Sequence, residues 1–323
     1  MMEADNRSAV VEFILLGFTN INTFNRLLFT ILLFIYLFII TGNIIIVMAI
    51  RMDPHLSSPM YFFVSSLSFL EIWYTTVTFP KMLANLLGTY KQISFSGCLL
   101  QAYFLHALGA TECYLLTVMS YDRYLAICKP LHYSSIMTSK FSLRLALGCW
   151  IIGFLSPVIE TALISALPFC GPNQIPFLFC DFPPLISLAC LDTSFYILVE
   201  FIVSVCTIMG SSLLVLLSYI QIIRNILGIR TAEGRRKTFS TCASHLTVVL
   251  VFFGSISFMY LKVRKSSSVN YDRVIALFYA VFTPLMNPII YSLRNEGIKK
   301  SIKKAMRQRA CLSELCTCVP KSK

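Results

Sequence analysis

The sequence predicts an all-α membrane protein: a single seven-transmembrane helix bundle, N-terminus outside, with a short amphipathic cytosolic helix after the seventh span. Three observations predict it. Hydrophobic residues make up 57% and charged residues 13% of the 323 positions, about half the roughly 25% charged share of soluble domains, and the mean hydropathy is +0.74. Apolar stretches near 26–50, 58–82, 97–126, 141–166, 196–223, 239–261 and 271–293 each reach the roughly 20 residues that a spanning helix needs. Lys and Arg gather in alternate connections, which are thereby assigned to the cytosol.

Ahead of the first span, "FILLGF" at 13–18 is too short to cross a bilayer. No basic segment precedes it and no small-residue cleavage site follows, so the first span is expected to serve as its own insertion signal. The net charge of +12 sits on Arg51, on Lys129, Lys140 and Arg144, on Arg224, Arg230, Arg235, Arg236 and Lys237, and on the tail from Arg294 to Arg309. An odd number of spans then leaves the N-terminus outside, where Asn6 in "NRS" is an acceptor for N-linked glycan. The basic but external loop "YLKVRKSSSVNYDR" is the one misfit. Residues 1–25 form the extracellular N-terminus, 26–293 the transmembrane domain and 294–323 a basic cytosolic tail. Basic residues that flank apolar spans suit anionic lipid head groups and argue against nucleic acid as a partner.

The twelve cysteines sort by compartment. Cys311, Cys316 and Cys318 fall in the reducing cytosol, as palmitoylation sites or as plain thiols. Cys113, Cys128, Cys149, Cys206 and Cys242 lie within or at the ends of spans, where a thiol is a small packing residue. Cys98, at the head of span three, and Cys170, Cys180 and Cys190, in the long fourth connection, remain outside and allow three pairings. Any pairing that uses Cys98 ties that connection over the mouth of the bundle.

Ionisable groups inside spans cost about 2.5–3.5 kcal/mol each on insertion scales, which makes them functional candidates. Glu71 in "SFLEIWYTT" and Glu112 in "GATECYLL" fall near the middle of spans two and three, with Asn43 and Asn287 supplying amides from spans one and seven. If these converge, two accounts stay open: a shared proton, or a sodium ion between the carboxylates. No other metal or cofactor is expected, and none is required. Pro284 and Pro288 interrupt the donors of span seven and allow a kink, whereas Pro80 and Pro157 are expected only to shape the bundle. Arg123 lies 25 residues past Cys98, roughly 37 Å of helix, so the Asp122–Arg123 pair reaches the cytosolic edge of a roughly 30 Å core.

Several motifs carry a family resemblance. "GN" at 42–43, "MSYDRYLAIC" at 119–128 and "NPIIY" at 287–291 resemble rhodopsin-like G-protein-coupled receptors. "PMYFFVSSLS" at 59–68, "KTFSTCASHL" at 237–246 and "PLMNPIIYSLRN" at 284–295 narrow this to the odorant receptor branch. The resemblance implies bridges Cys98–Cys180 and Cys170–Cys190. It implies that a small volatile organic molecule binds within the bundle and that a heterotrimeric G protein of the stimulatory olfactory type docks at the cytosolic face of a plasma-membrane receptor, raising cyclic AMP. It places His106, Gly109, Ala110, Cys113, Ser204, Thr207, Phe253, Ile256, Tyr260 and Tyr279 around the ligand, and Asp122, Arg123, Tyr124, Tyr219, Asn287, Pro288 and Tyr291 in coupling and switching.

The sequence also departs from the family. The cytosolic end of span six reads "GRRKTF", with no acid placed to lock Arg123. Phe253 stands where odorant receptors often carry Tyr and cannot donate a hydrogen bond; Glu71 stands where Asp is usual, one methylene longer. A transporter or channel would show paired broken helices or rings of charge, and an enzyme a catalytic motif; the sequence has neither.

Overall fold

The computed structural model describes residues 11–17, 22–88, 91–170, 172–260, 269–295 and 297–304. A strand, β1 (Glu12–Leu15), precedes the first spanning helix, α1 (Asn22–Met52). Spans two and three are α2 (Pro59–Leu86) and, after strand β2 (Gln92–Ser94), α3 (Phe95–Cys128). A short helix, α4 (Pro130–Ile136), leads to span four, which is two helices, α5 (Ser139–Leu155) and α6 (Val158–Ser165). Strand β3 (Gln174–Ile175) and helix α7 (Phe182–Ile186) form the long connection, and α8 (Ser194–Leu227), α9 (Ala232–Tyr260) and α10 (Val269–Arg294) complete the bundle.

Local chemistry sets these boundaries. The Ser94 hydroxyl accepts from Gly97 N at 3.1 Å and starts α3, and Thr138 accepts from Phe141 N at 3.3 Å and starts α5, each cap contributing about 1 kcal/mol. Pro59 and Pro130 occupy first helical positions, where a missing N–H costs nothing. Pro157 does more than shape the bundle: span four stops at Leu155 and restarts at Val158 on its far side. Pro80, Pro284 and Pro288 by contrast lie within continuous helices.

The usual inside–outside pattern is relaxed, as a lipid solvent requires. Phe34, Leu198, Ile202 and Leu213 remain exposed on the outer faces of α1 and α8, and among the described residues four spans are long and apolar enough to cross a membrane by length and composition alone. Helices α2 and α3 bury the acids Glu71, Glu112 and Asp122. Packing between α3 and α5 is close at one glycine: a Cβ on Gly153 would lie 2.8 Å from the backbone N of Thr111. Beside it, Trp150 Nε1 donates to Ser66 Oγ at 3.2 Å, and Trp150 stacks on Trp73 of α2 with ring centroids 6.0 Å apart.

The short apolar patch ahead of span one goes into a strand, which its composition does not announce. Strand β1 pairs antiparallel with β2, setting Phe13 opposite Ile93, and parallel with β3, setting Ile14 opposite Gln174. Phe13 and Leu15 are buried with Phe182, Leu185 and Ile186 in a small core of their own at this end of the bundle. The bridges Cys98–Cys180 and Cys170–Cys190, with Cα atoms 5.3 Å and 5.5 Å apart, hold the long connection against the head of α3. At the opposite end, residues 297–304 form the short helix expected after span seven. Asn295 Oδ1 accepts from Gly297 N and Ile298 N to cap it, Ile298 is buried, and Lys300, Lys303 and Lys304 face out.

Candidate functional site

A half-open cavity of roughly 50 Å3 lies among spans three to seven beneath the bridged connection. From α3 it is lined by His106, Gly109, Ala110 and Cys113, from α8 by Ser204 and Thr207, from α9 by Ile256 and from α10 by Tyr279. These are eight of the ten residues expected from sequence. Phe253 does not line it: its ring packs edge-on against Phe252, centroids 5.2 Å apart, within the helix core. The Tyr260 side chain lies outside the described residues, as do Asn6, Cys311, Cys316, Cys318 and most of the basic loop after α9.

The polar groups of the chamber are placed by their neighbours. His106 Nδ1 lies 3.1 Å from the Ala102 carbonyl, so it carries the proton and donates. Its Nε2 is 3.6 Å from Asp181 of the connection, and its ring stacks on Phe182 at 4.2 Å. His106 therefore joins the chamber to its lid. Thr207 and Tyr114 hydroxyls meet at 3.5 Å, and Gly109 leaves room for the Tyr279 hydroxyl, which a Cβ there would approach to 3.6 Å. Sequence reasoning missed Ser156, Pro157 and Glu160 of span four, which also face the chamber. Glu160 was open to detection, since it is an acid within an apolar span like Glu71 and Glu112.

Below the chamber the two acids and Asn287 do converge. Asn287 Nδ2 donates to Glu71 Oε1 and, at 3.5 Å, to Glu112 Oε1, so one amide bridges the two carboxyls. All three side chains are buried. Asn43 turns its amide to the Ile39 carbonyl of its own helix at 3.0 Å; among the described residues its Oδ1 has no hydrogen-bond partner, and neither has Oε2 of Glu71. Gly42 meets Pro288 instead: a Cβ at Gly42 would lie 3.0 Å from Pro288 Cβ, so the glycine lets α1 sit tightly on α10.

At the end of the bundle away from the bridges, Asp122 and Arg123 are buried rather than laid along an interface. Arg123 donates to Asp122 Oδ2 through Nε at 3.0 Å and through a second nitrogen. Tyr133 of α4, which sequence reasoning passed over, donates to Asp122 Oδ1 at 2.8 Å. Burial, with the Asp122 charge adding to it, pushes the Tyr133 hydroxyl above its ordinary value, so it stays a donor. Tyr219 shares a 2.7 Å hydrogen bond with His245 of α9, in a ring-on-ring stack. Tyr291 is buried, and Tyr124 stacks on Tyr121. One large apolar residue at this end, Leu131, is 91% exposed.

The chain matches a family model described as olfactory receptor over residues 32–309. It is 54% identical to human olfactory receptor 6N1 over 97% of this chain and 100% of that one, and 51% identical to human olfactory receptor 6K3 over 94% and 91%. Its fold is similar to that of squid rhodopsin, with a TM-score of 0.68 at 15% identity over 89% of this chain and 87% of that one. With match and identity running nearly end to end, the chain belongs to the olfactory receptor family, as a multi-pass membrane receptor and not an enzyme.

Proposed function

We propose that this olfactory receptor binds small, mostly hydrophobic volatile molecules in the chamber beneath the bridged connection, and couples to a stimulatory olfactory-type G protein to raise cyclic AMP. The observation that carries the ligand side is a largely apolar cavity with a few polar groups, the usual make-up of a small-molecule site. The coupling side is supported by the buried Asp122–Arg123 pair and by exposed Leu131. Asp122 and Tyr133 restrain Arg123, and the Tyr219–His245 bond ties α8 to α9 where an acid on span six is missing. A ligand shifts this resting arrangement only through higher affinity for the state in which those ties are broken.

The same reading puts the receptor in the plasma membrane with the bridged end outside, Asn6 glycosylated and the basic tail in the cytosol. Oxidised Cys98, Cys170, Cys180 and Cys190 at one end support it, since disulfides persist outside the cytosol. The Glu71 and Glu112 carboxyls, brought together at Asn287, fit a sodium ion, whose charge would let both carboxylates ionise. Two carboxyls bridged by one Asn287 amide fit a shared proton in its place.

The test is a cyclic AMP reporter in cells that display the receptor, screened with volatile compounds. Responses that vanish when the stimulatory G protein is removed support the reading; evoked currents that survive its removal favour a channel.

A further inference from the structure

Span four breaks at Pro157, and the break turns the first turn of α6 toward the chamber. That turn carries Glu160, whose side chain is buried and lines the cavity. Among the described residues, Oε1 of Glu160 has no hydrogen-bond partner. Three other polar groups of the chamber have partners of their own: His106 with Ala102 and, at 3.6 Å, Asp181, Thr207 with Tyr114, and Ser156 with Gly153. An orphaned carboxyl oxygen in an apolar site costs on the order of 1–3 kcal/mol, and a ligand that pairs with it recovers that cost. The Asp181 charge acts on Glu160 as well, so an ionised Glu160 has an acid for company.

We propose, on the receptor reading above, that Glu160 is the polar anchor of the ligand chamber and that the favoured ligands are alcohols or phenols on a hydrophobic body. A hydroxyl matches the carboxyl in either protonation form. It donates to a carboxylate oxygen, and with a neutral carboxyl it both donates to the carbonyl oxygen and accepts from the O–H. An ether or hydrocarbon of the same shape leaves the Glu160 oxygen unpaired or half paired. Sites built to bond a ligand hydroxyl reject the analogue without it far more strongly than apolar pockets reject a methylene.

The experiment compares wild type, Glu160→Gln and Glu160→Leu, each normalised to surface expression, against alcohols and their methyl ethers on the same skeleton, with ketones and hydrocarbons included. Wild type should prefer alcohols over matched ethers by about tenfold or more, one well-made bond to a buried group. Glu160→Gln, which keeps a donor and an acceptor, should hold most of that preference. Glu160→Leu should bring alcohol and ether within about threefold of each other, a residual below one hydrogen bond. A purely structural Glu160 would lower all responses together and leave the ratio untouched. Equal potency of alcohols and ethers in wild type, or a preference that survives Glu160→Leu, overturns the anchor while leaving the receptor intact. Silence of the displayed wild type toward every class tested overturns the receptor reading itself.

Discussion

The Tyr133 hydroxyl donates to one oxygen of Asp122 while the other oxygen of that carboxylate holds Arg123. A loop residue thus orients the acid that restrains the arginine. Tyr133→Phe keeps the ring and loses the bond, about 1 kcal/mol of restraint or roughly a fivefold shift toward the released state. Ligand-free cyclic AMP should rise accordingly, and Arg123→Ala should silence the receptor. A basal signal unchanged in a normally displayed Tyr133→Phe would remove the loop from the switch.

The bond between Tyr219 and His245 joins α8 to α9 in place of an acid on span six. Tyr219→Phe and His245→Phe should each raise basal signalling, and the double variant should do no more than either single one, because both delete the same contact. Simple addition of the two effects would show that the residues act apart.

His106 connects α3 to the lid through Asp181. His106→Phe can keep the stack on Phe182 but not the 3.6 Å approach to Asp181, so potency should fall by up to about fivefold, the upper worth of a weak ion pair. Asp181→Asn should weaken the same ligands by a similar factor. Unchanged potency for every active compound in His106→Phe would make the histidine a packing residue.

The two occupants proposed for the place between Glu71, Glu112 and Asn287 are a proton and a sodium ion. If sodium occupies it, exchanging sodium for an impermeant organic cation should change agonist potency in wild type and leave Glu112→Gln unmoved. Indifference of both proteins to sodium would leave the shared proton as the occupant.

At Gly153 even a methyl group collides with the Thr111 backbone, which cannot give way as a side chain can. Gly153→Ala should destabilise by about 1–3 kcal/mol through overpacking and lower surface expression, whereas Gly148→Ala, with nothing within 4 Å of the added carbon, should be neutral. Equal display of the two variants would contradict the close approach of α3 and α5.

The seven spans are legible in the sequence because a bilayer imposes a length and a polarity that a window can count, and the convergence of Glu71, Glu112 and Asn287 is legible because buried acids are rare in hydrocarbon. Glu160 obeys the same rule, but it sits toward the end of its span, where an acid reads as interfacial. Strand β1 is hidden for a different reason: four residues carry too little periodicity, and their partners lie in distant loops. Tyr133 and His245 are hidden because an aromatic hydroxyl and an imidazole announce nothing until a partner stands opposite. Helix length places the Asp122–Arg123 pair correctly along the axis, but length alone does not show that both side chains turn inward.

The three-stranded cap joins the residues ahead of span one to residues that follow span four. During synthesis β1 emerges long before β3 exists, so its pairing must wait until four helices have been inserted and the long connection has emerged between span four and span five. Contacts so distant in sequence form late. Until then Phe13 and Leu15, buried in the finished receptor, stand uncovered. Closure of this small sheet therefore requires the residues ahead of span one and those after span four to emerge at the same end of the bundle.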